Sequence, residues 1–202
     1  MRAGTTTEFK KGEKIYAAGD KAGQLLKVCA GAVMLFIILE DGRRQIVDLA
    51  GPGDLLHFDI EGDIDHFAEA LTPVELAVMD GAEALGDPSF LPYFLEQMRT
   101  RIGQERRHIA MLGRKSAQER VADFLEYISD CLNCAPGEID LPMTRQQIAD
   151  YLGLTLETVS RIFAKWVREG RLIQVDATHY ELTFCCDLHS ARPSSVCGRR
   201  AA

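Results

Sequence analysis

The sequence predicts an α+β chain, in which a small antiparallel β domain is followed by a long helix and a C-terminal winged helix-turn-helix. Three observations lead to this fold class. Short β-forming runs alternate with turn signals over residues 13–80, the apolar period lengthens from Pro88, and two helical patterns meet at Gly153. We place the boundaries at residues 1–87, 88–113 and 114–184, and we expect a disordered tail over residues 185–202.

The β domain is predicted from five short apolar runs that are rich in β-forming residues. Turn signals such as Gly19-Asp20, Asp41-Gly42 and Gly51-Pro52-Gly53 punctuate this region. Several strands at this spacing predict a small antiparallel barrel or sandwich. The runs are Leu25–Cys29, Ala32–Leu39, Gln45–Leu49, Phe67–Leu71 and Val74–Met79.

A long helix is predicted next, because apolar residues recur at three- to four-residue steps or their multiples. Such a helix with a narrow apolar seam more often pairs with a copy of itself, so we expect a homodimer. The alternative is that the stripe packs on the β domain of its own chain. The expected dimer seam consists of Leu95, Met98, Ile102, Ile109 and Leu112.

The C-terminal domain is predicted from three helix starts and a hairpin. Ser116 with Glu119, and Thr144 with Gln147, have the spacing of capping boxes, and Thr155 is a third N-cap. The first of these helices presents a core face formed by Val121, Phe124, Leu125 and Ile128. Gly153 breaks the second helix, Gly170 ends the third, and the runs Leu172–Val175 and Tyr180–Phe184 predict a hairpin wing.

The helix after Thr155 has two different faces. One face carries Val159, Ile162, Phe163 and Trp166, and the opposite face carries Glu157, Ser160 and Arg161. Arginine can donate twice to guanine, glutamate can accept from cytosine N4, and serine can contact a neighbouring base or phosphate. An ordinary amphipathic helix pair would give the same helical period. The packing residues that a helix-turn-helix needs are nevertheless present, namely the small Ala149, the turn glycine Gly153 and the apolar Val159, and they favour a major-groove reader.

Double-stranded DNA is therefore the expected partner. Glu157, Ser160 and Arg161 are the expected base-reading residues. The expected contacts to the DNA backbone are Thr144, Arg145, Thr155, Thr158 and Lys165.

The charge distribution separates the two halves of the chain. The net charge is −7, and the interval between Arg44 and Arg99 holds twelve carboxylates but no Lys or Arg. From Arg99 to Arg171 there are twelve basic and ten acidic residues. Since phosphate contacts dominate DNA affinity, the C-terminal part should face DNA and the N-terminal part should face away. No apolar run is long enough for a membrane span or a signal peptide, so we expect a cytoplasmic protein.

Other functions find less support in the sequence. Cys131 and Cys134 form a single C-x-x-C without a second pair, and redox control by these thiols is an alternative to buried structural cysteines. A second alternative is a metal sensor, because His57, Asp59, Glu61, Asp63, Asp65 and His66 are closely spaced; a solvated acidic loop around Gly62 explains them equally well. We expect no metal or cofactor. No nucleophile–base set or phosphate-binding glycine loop indicates an enzyme.

The order of elements resembles the CRP/FNR family of bacterial transcription regulators, and it does so from about Phe9 to Phe184. The strongest local match is the stretch MTRQQIADYLGLTLETVSR, which is similar to the FNR and FixK branch. The resemblance implies a cyclic-nucleotide-binding-like β-roll and a homodimer on a pseudo-palindrome. It also implies that Glu157, Ser160 and Arg161 read a TTGAT-type half-site, and that RNA polymerase is a partner.

Two departures from the family bear on the signal to which the protein could respond. Cyclic-nucleotide binders of the family carry an Arg-Ser/Thr-Ala element, whereas this chain has Asp65-His66-Phe67-Ala68 at that place. Oxygen sensors of the family bind an iron–sulfur cluster through N-terminal cysteines, and this sequence has no cysteine before Cys29. The chain is therefore similar either to the FixK type, acting without cyclic AMP and without a cluster, or to a relative with an unrecognised ligand.

Overall fold

The computed structural model describes residues 5–132, 134–135 and 137–183. The predicted tail, Phe184 at the end of the wing and Asn133 lie outside these residues. Seven strands lie in the described part of the N-terminal domain, and the five apolar runs of the sequence correspond to the last five. The strands are β1 (Thr5–Phe9), β2 (Lys14–Tyr16), β3 (Gln24–Ala30), β4 (Val33–Ile38), β5 (Arg44–Ala50), β6 (Phe67–Ala70) and β7 (Val74–Asp80).

These strands form two antiparallel sheets, with the orders β1-β7-β3 and β2-β6-β4-β5. A shared core of buried side chains from both sheets includes Val28, Leu35, Ala68 and Leu76. Alternate side chains of β6 and β7 point into this core, whereas β4 is apolar on both faces and packs against a second core on its other side. The predicted antiparallel β domain is confirmed as a β-roll.

The turn between β3 and β4 depends on a glycine. Gly31 has a φ of +86°, and a Cβ at this position would lie 2.1 Å from the backbone oxygen of Pro73. Gly42, in the turn between β4 and β5, has a similar φ of +81° but no atom within 4 Å of an added Cβ. The two glycines therefore separate the cost of backbone strain from the cost of a steric clash.

We expect Gly31→Ala to destabilise the protein by about 2–5 kcal/mol, because left-handed strain and overpacking act together. Gly42→Ala should cost only about 1–2 kcal/mol, since only the strain remains. Urea unfolding of the two variants and the unmodified protein measures the difference. Equal losses of unfolding free energy in the two variants would show that the contact with Pro73 is not limiting.

Two helices connect the β-roll to the C-terminal domain. The sequence patterns did not predict the short α1 (Gly81–Gly86), in which the Asp80 side chain accepts a hydrogen bond from the Glu83 N–H. The long α2 (Leu91–Arg114) begins with proline at an N-terminal position. Its buried residues are Phe94 and Met111, which lie outside the predicted seam. None of the described helices is both long and apolar enough to cross a membrane.

As far as residue 183, the described residues of the C-terminal domain form three helices and a three-stranded sheet with the order β8-β10-β9. Both predicted capping boxes are present, at Ser116 and at Thr144. The side chains of the predicted α3 core face are fully buried. The elements are α3 (Ala117–Cys131), β8 (Glu138–Asp140), α4 (Arg145–Leu152), α5 (Leu156–Arg168), β9 (Leu172–Gln174) and β10 (His179–Leu182).

The β-roll and the C-terminal domain are packed together through β5 and α4. Arg44 of β5 is 3.0 Å from the Asp150 carboxylate of α4, and both side chains are largely buried. His108 of α2 lies between the carbonyl oxygens of Val47 and Tyr151, at 3.1 and 2.9 Å. Its ring also stacks on that of Tyr151. These contacts and a common apolar core hold the helix-turn-helix in a defined position on the roll.

Candidate nucleic-acid interface

The second helix of the helix-turn-helix, α5, presents its polar face to solvent. Val159, Ile162, Phe163 and Trp166 are buried, as expected from their spacing. Glu157, Ser160 and Arg161 are exposed. The helix therefore has one face fixed in the domain core and one face available to a partner.

The start of α5 is fixed by a side-chain cap. The Thr155 hydroxyl accepts a hydrogen bond from the Thr158 N–H at 3.2 Å. The backbone N–H of Glu157 and the Thr155 side chain lower the pKa of Glu157. Glu157 is thus ionised at neutral pH and can only accept hydrogen bonds, which is the property that cytosine N4 requires.

The turn before α5 is set by α4 and Gly153. The Thr144 N–H donates to the Gln147 side-chain oxygen at 2.8 Å, and the Gln147 N–H donates back to the Thr144 hydroxyl at 3.2 Å. Gly153 ends α4 in the left-handed conformation with a φ of 59°. These local signals account for the tight turn between the helices.

The predicted backbone-contacting residues occupy four kinds of environment. Thr144 and Thr155 are exposed at the starts of α4 and α5, whereas Thr158 is half-buried beside the Thr155 hydroxyl. Lys165 lies on the side of α3, with its Nζ 3.4 Å from the Gln118 oxygen and 3.9 Å from the Glu169 carboxylate. Arg145 is the most constrained of the five, because its guanidinium is 3.6 Å from the Phe163 ring centre.

Sequence reasoning missed one exposed cation near this face. Arg168 is exposed in the last turn of α5. It follows Arg161 by seven residues, close to two helical turns, so that it extends the exposed face. The helical period could have identified it, but its relation to the wing depends on tertiary packing.

A separate cavity of about 530 Å³ lies between the β-roll and α2. Four carboxylates are among its lining residues: Asp48, Asp59, Asp65 and Glu105. Arg101 also lines it, but its guanidinium is 2.5 Å from the Asp48 carboxylate and donates to the Leu55 carbonyl. The cation is thus already paired.

Three histidines line this cavity, and one of them, His108, has both ring nitrogens at backbone carbonyl oxygens of the chain. Burial lowers the pKa of His57, so that its ring is neutral at neutral pH. His66 is 2.7 Å from the Asp65 carboxylate and 2.6 Å from the Tyr16 hydroxyl. A cyclic nucleotide phosphate would meet carboxylates without a free cation among the lining residues, so these residues do not fit that ligand.

The closely spaced acidic residues and histidines do not gather around a common point. Residues 57–66 form a loop rather than the strand that would place the carboxylates on one face. Asp63 is paired with Lys21 at 2.5 Å. In the part of the chain that the structure describes, no group of three or more His, Cys, Asp or Glu side chains could hold a metal ion.

The thiols of the C-x-x-C are free. Burial raises the pKa of the Cys131 thiol to about 12, which opposes thiolate formation. An added Cβ at Gly51 would lie 2.5 Å from the Cys131 carbonyl oxygen, so that the end of α3 is packed tightly against the roll. This environment favours a structural Cys131 over a redox-active one.

Comparison with protein families gives two matches along the chain. Residues 6–85 match the model of the cyclic nucleotide-binding domain. Residues 119–183 match the model of the Crp-like helix-turn-helix domain. The two matches coincide with the β-roll and the winged helix-turn-helix.

Similar proteins are transcription regulators, not enzymes. The nitrogen fixation regulation protein FixK of Rhizobium meliloti is 39% identical over 166 residues, which is 82% of this chain and 76% of that protein. The fumarate and nitrate reduction regulatory protein of Escherichia coli K12 is 32% identical over 174 residues, 81% of this chain and 69% of that protein. The structure of FixK2 from Bradyrhizobium japonicum has a TM-score of 0.85 at 31% identity and covers 95% of this chain and 98% of that one. With its β-roll, long helix and winged helix-turn-helix, the chain belongs to the CRP/FNR family as a FixK-like transcription regulator with a helix-turn-helix DNA-binding domain.

Proposed function

We propose that this regulator binds a TTGAT-type palindrome as a homodimer and that it does so without cyclic AMP. The observation that carries the proposal is the exposed face of α5, where Glu157, Ser160 and Arg161 lie together opposite the buried face. Arg161 donates to guanine O6 and N7, Glu157 accepts from cytosine N4, and Ser160 contacts a neighbouring base or phosphate.

The contacts that position α5 come from the helix starts. Thr144 and Thr155, at the exposed starts of α4 and α5, lie against phosphates that flank the major groove, and Arg145, Thr158 and Lys165 add further backbone contacts. These contacts carry little sequence information. They fix the register from which the base-reading residues act.

The dimer forms through α2. Leu95, Ile102 and Ile109 follow one another at seven-residue spacing and are 55%, 44% and 70% exposed in the isolated chain. Met98 and Leu112 are partly buried against the chain's own core and complete the seam. Two parallel copies of α2 would bury this stripe and place two copies of α5 in successive major grooves. The regulator acts in the cytoplasm, where it recruits or blocks RNA polymerase.

The direct test is DNA binding by the purified full chain. Fluorescence anisotropy should show tight binding to a duplex with two TTGAT-type half-sites one helical turn apart, and weaker binding to a scrambled duplex. A third duplex keeps both half-sites but adds five base pairs between them, which rotates one half-site by half a turn. The proposal is wrong if the three duplexes bind equally.

We expect DNA binding to be independent of cyclic nucleotides. The roll cavity carries four carboxylates around a paired Arg101, so a cyclic phosphate lacks a counter-charge. Calorimetric titration with cyclic AMP and cyclic GMP should show no heat of binding, and neither nucleotide should change the affinity for the palindrome. Micromolar binding that raises DNA affinity would instead make the roll a nucleotide sensor.

A further inference from the structure

A cleft of about 440 Å³ lies between α5 and the wing of β9 and β10. Phe163 and Tyr180 contribute its aromatic side chains. Arg145 from the start of α4, Arg168 from the end of α5 and Gln174 from the wing line it together with Ser160. The cleft thus opens beside the base-reading face, to which Ser160 also belongs.

The charge of this cleft differs from that of the rest of the molecule. It is lined by two arginines and by no carboxylate, whereas the chain as a whole carries a net charge of −7. Among the residues that the structure describes, neither Arg145 nor Arg168 has a carboxylate within ion-pair distance of its guanidinium. A cationic cleft with unpaired arginines is suited to an anion.

Arg145 is held in place before any ligand arrives. Its Nη2 donates to the Tyr180 hydroxyl at 2.6 Å, and its guanidinium stacks on the Phe163 ring. Arginine has five N–H donors, so donors remain free for a second partner. Gln174 donates one amide hydrogen to the Asp176 carbonyl at 3.1 Å and retains the other.

We propose that this cleft binds a backbone phosphate of the DNA strand beside α5, and that Arg145 and Arg168 hold that phosphate with the help of Gln174. The inference rests on the proposed binding of α5 in the major groove. That groove is about 12 Å wide and a helix with its side chains is about 10–12 Å across, so that a phosphate strand runs close to each side of the helix. One strand then passes between α5 and the wing.

Arg168 differs in position from two other cations of the region, Lys165 and Arg171. Neither Lys165 nor Arg171 lines the cleft: the Lys165 Nζ is 3.4 Å from the Gln118 oxygen of α3, and the Arg171 Nε is 3.5 Å from the Glu169 carboxylate. Arg168 is exposed and lines the cleft from the last turn of α5. It is therefore a positioning residue that adds affinity at every DNA sequence alike.

The test compares Arg168→Ala with the matched control Arg171→Ala, in which an exposed arginine outside the cleft is removed. Binding of the matched and the scrambled duplex is measured between 50 and about 300 mM salt. We expect Arg168→Ala to weaken both duplexes by the same factor and to leave their affinity ratio unchanged. The slope of log affinity against log salt should fall by about 0.9 for each lost phosphate contact. Arg171→Ala should keep the slope of the unmodified protein.

A duplex with one neutral methylphosphonate beside the half-site identifies the contact. This duplex should bind the unmodified protein less tightly than the all-phosphate duplex, and Arg168→Ala should lose little further affinity for it. Suppose that the unmodified protein discriminates its site. The cleft assignment is then wrong if Arg168→Ala keeps the salt slope of the unmodified protein, or if it changes the ratio of the affinities for the matched and the scrambled duplex. If the unmodified protein discriminates no site, the proposed function itself fails, and the cleft assignment fails with it.

Discussion

Replacing Arg161 with alanine is expected to remove most of the discrimination between a TTGAT-type palindrome and a scrambled site. Weaker, salt-sensitive binding should survive, because phosphate contacts are made elsewhere. A bidentate contact between arginine and guanine contributes about 1–3 kcal/mol of discrimination, and the palindrome contains two such contacts. Anisotropy titrations of both duplexes at one fixed salt concentration measure the ratio of affinities.

Two further variants separate geometry from charge. Arg161→Lys keeps the positive charge but replaces the planar guanidinium with a single ammonium, so it should bind scrambled DNA normally and discriminate poorly. Arg171→Ala removes an exposed arginine that is not on the reading face and should discriminate as well as the unmodified protein. If Arg161→Ala binds the matched and scrambled sites in the original ratio, Arg161 does not read a base.

The predictions from sequence that succeed are those with local causes. The capping boxes at Ser116 and Thr144 and the cap at Thr155 need only side chains within three residues of each helix start. The left-handed Gly153 needs only its own backbone. The helix-turn-helix could therefore be predicted from sequence almost residue by residue, and its buried and exposed faces followed from the helical period.

The features that sequence analysis missed depend on partners distant in the chain. The strand β1 is almost entirely exposed, with the sequence TTTEF, and it is a strand because its backbone pairs with β7. Likewise the three-residue β8 pairs with β10 and carries no apolar run of its own. The cleft beside α5 is defined by Arg145, Phe163 and Tyr180, whose approach no periodic pattern encodes.

The sequence of the long helix left two alternatives open, namely packing on its own chain and pairing with a second copy, and different residues of α2 serve each of them. Phe94 and Met111 pack it against its own chain, so α2 does contribute to the monomer core. Leu95, Ile102 and Ile109 remain exposed in a single stripe along the helix. Solvent exposure of three large apolar side chains at heptad spacing is unfavourable, and a second copy of α2 would relieve it. This stripe leads to the second prediction of large effect.

We expect Ile102→Glu to convert the protein to monomers and to abolish tight palindrome binding. Ile102 lies in the middle of the exposed stripe, so its replacement would place two carboxylates near the two-fold axis of the dimer. An uncompensated buried charge costs about 3–5 kcal/mol, and two such charges should weaken the dimer by at least about a thousandfold. Sedimentation equilibrium measures the association constant, and anisotropy measures binding to the palindrome.

Thr100→Glu is the matched control, because it introduces the same charge two residues earlier at an exposed position off the seam. It should remain dimeric and bind the palindrome normally. Circular dichroism of Ile102→Glu should show an intact fold, since the Ile102 side chain is 44% exposed and takes no part in the core of the single chain. Loss of the dimer with a folded chain would identify α2 as the interface. A stable dimer in folded Ile102→Glu would exclude this seam, and palindrome recognition would then have to arise from a different pairing of the two copies.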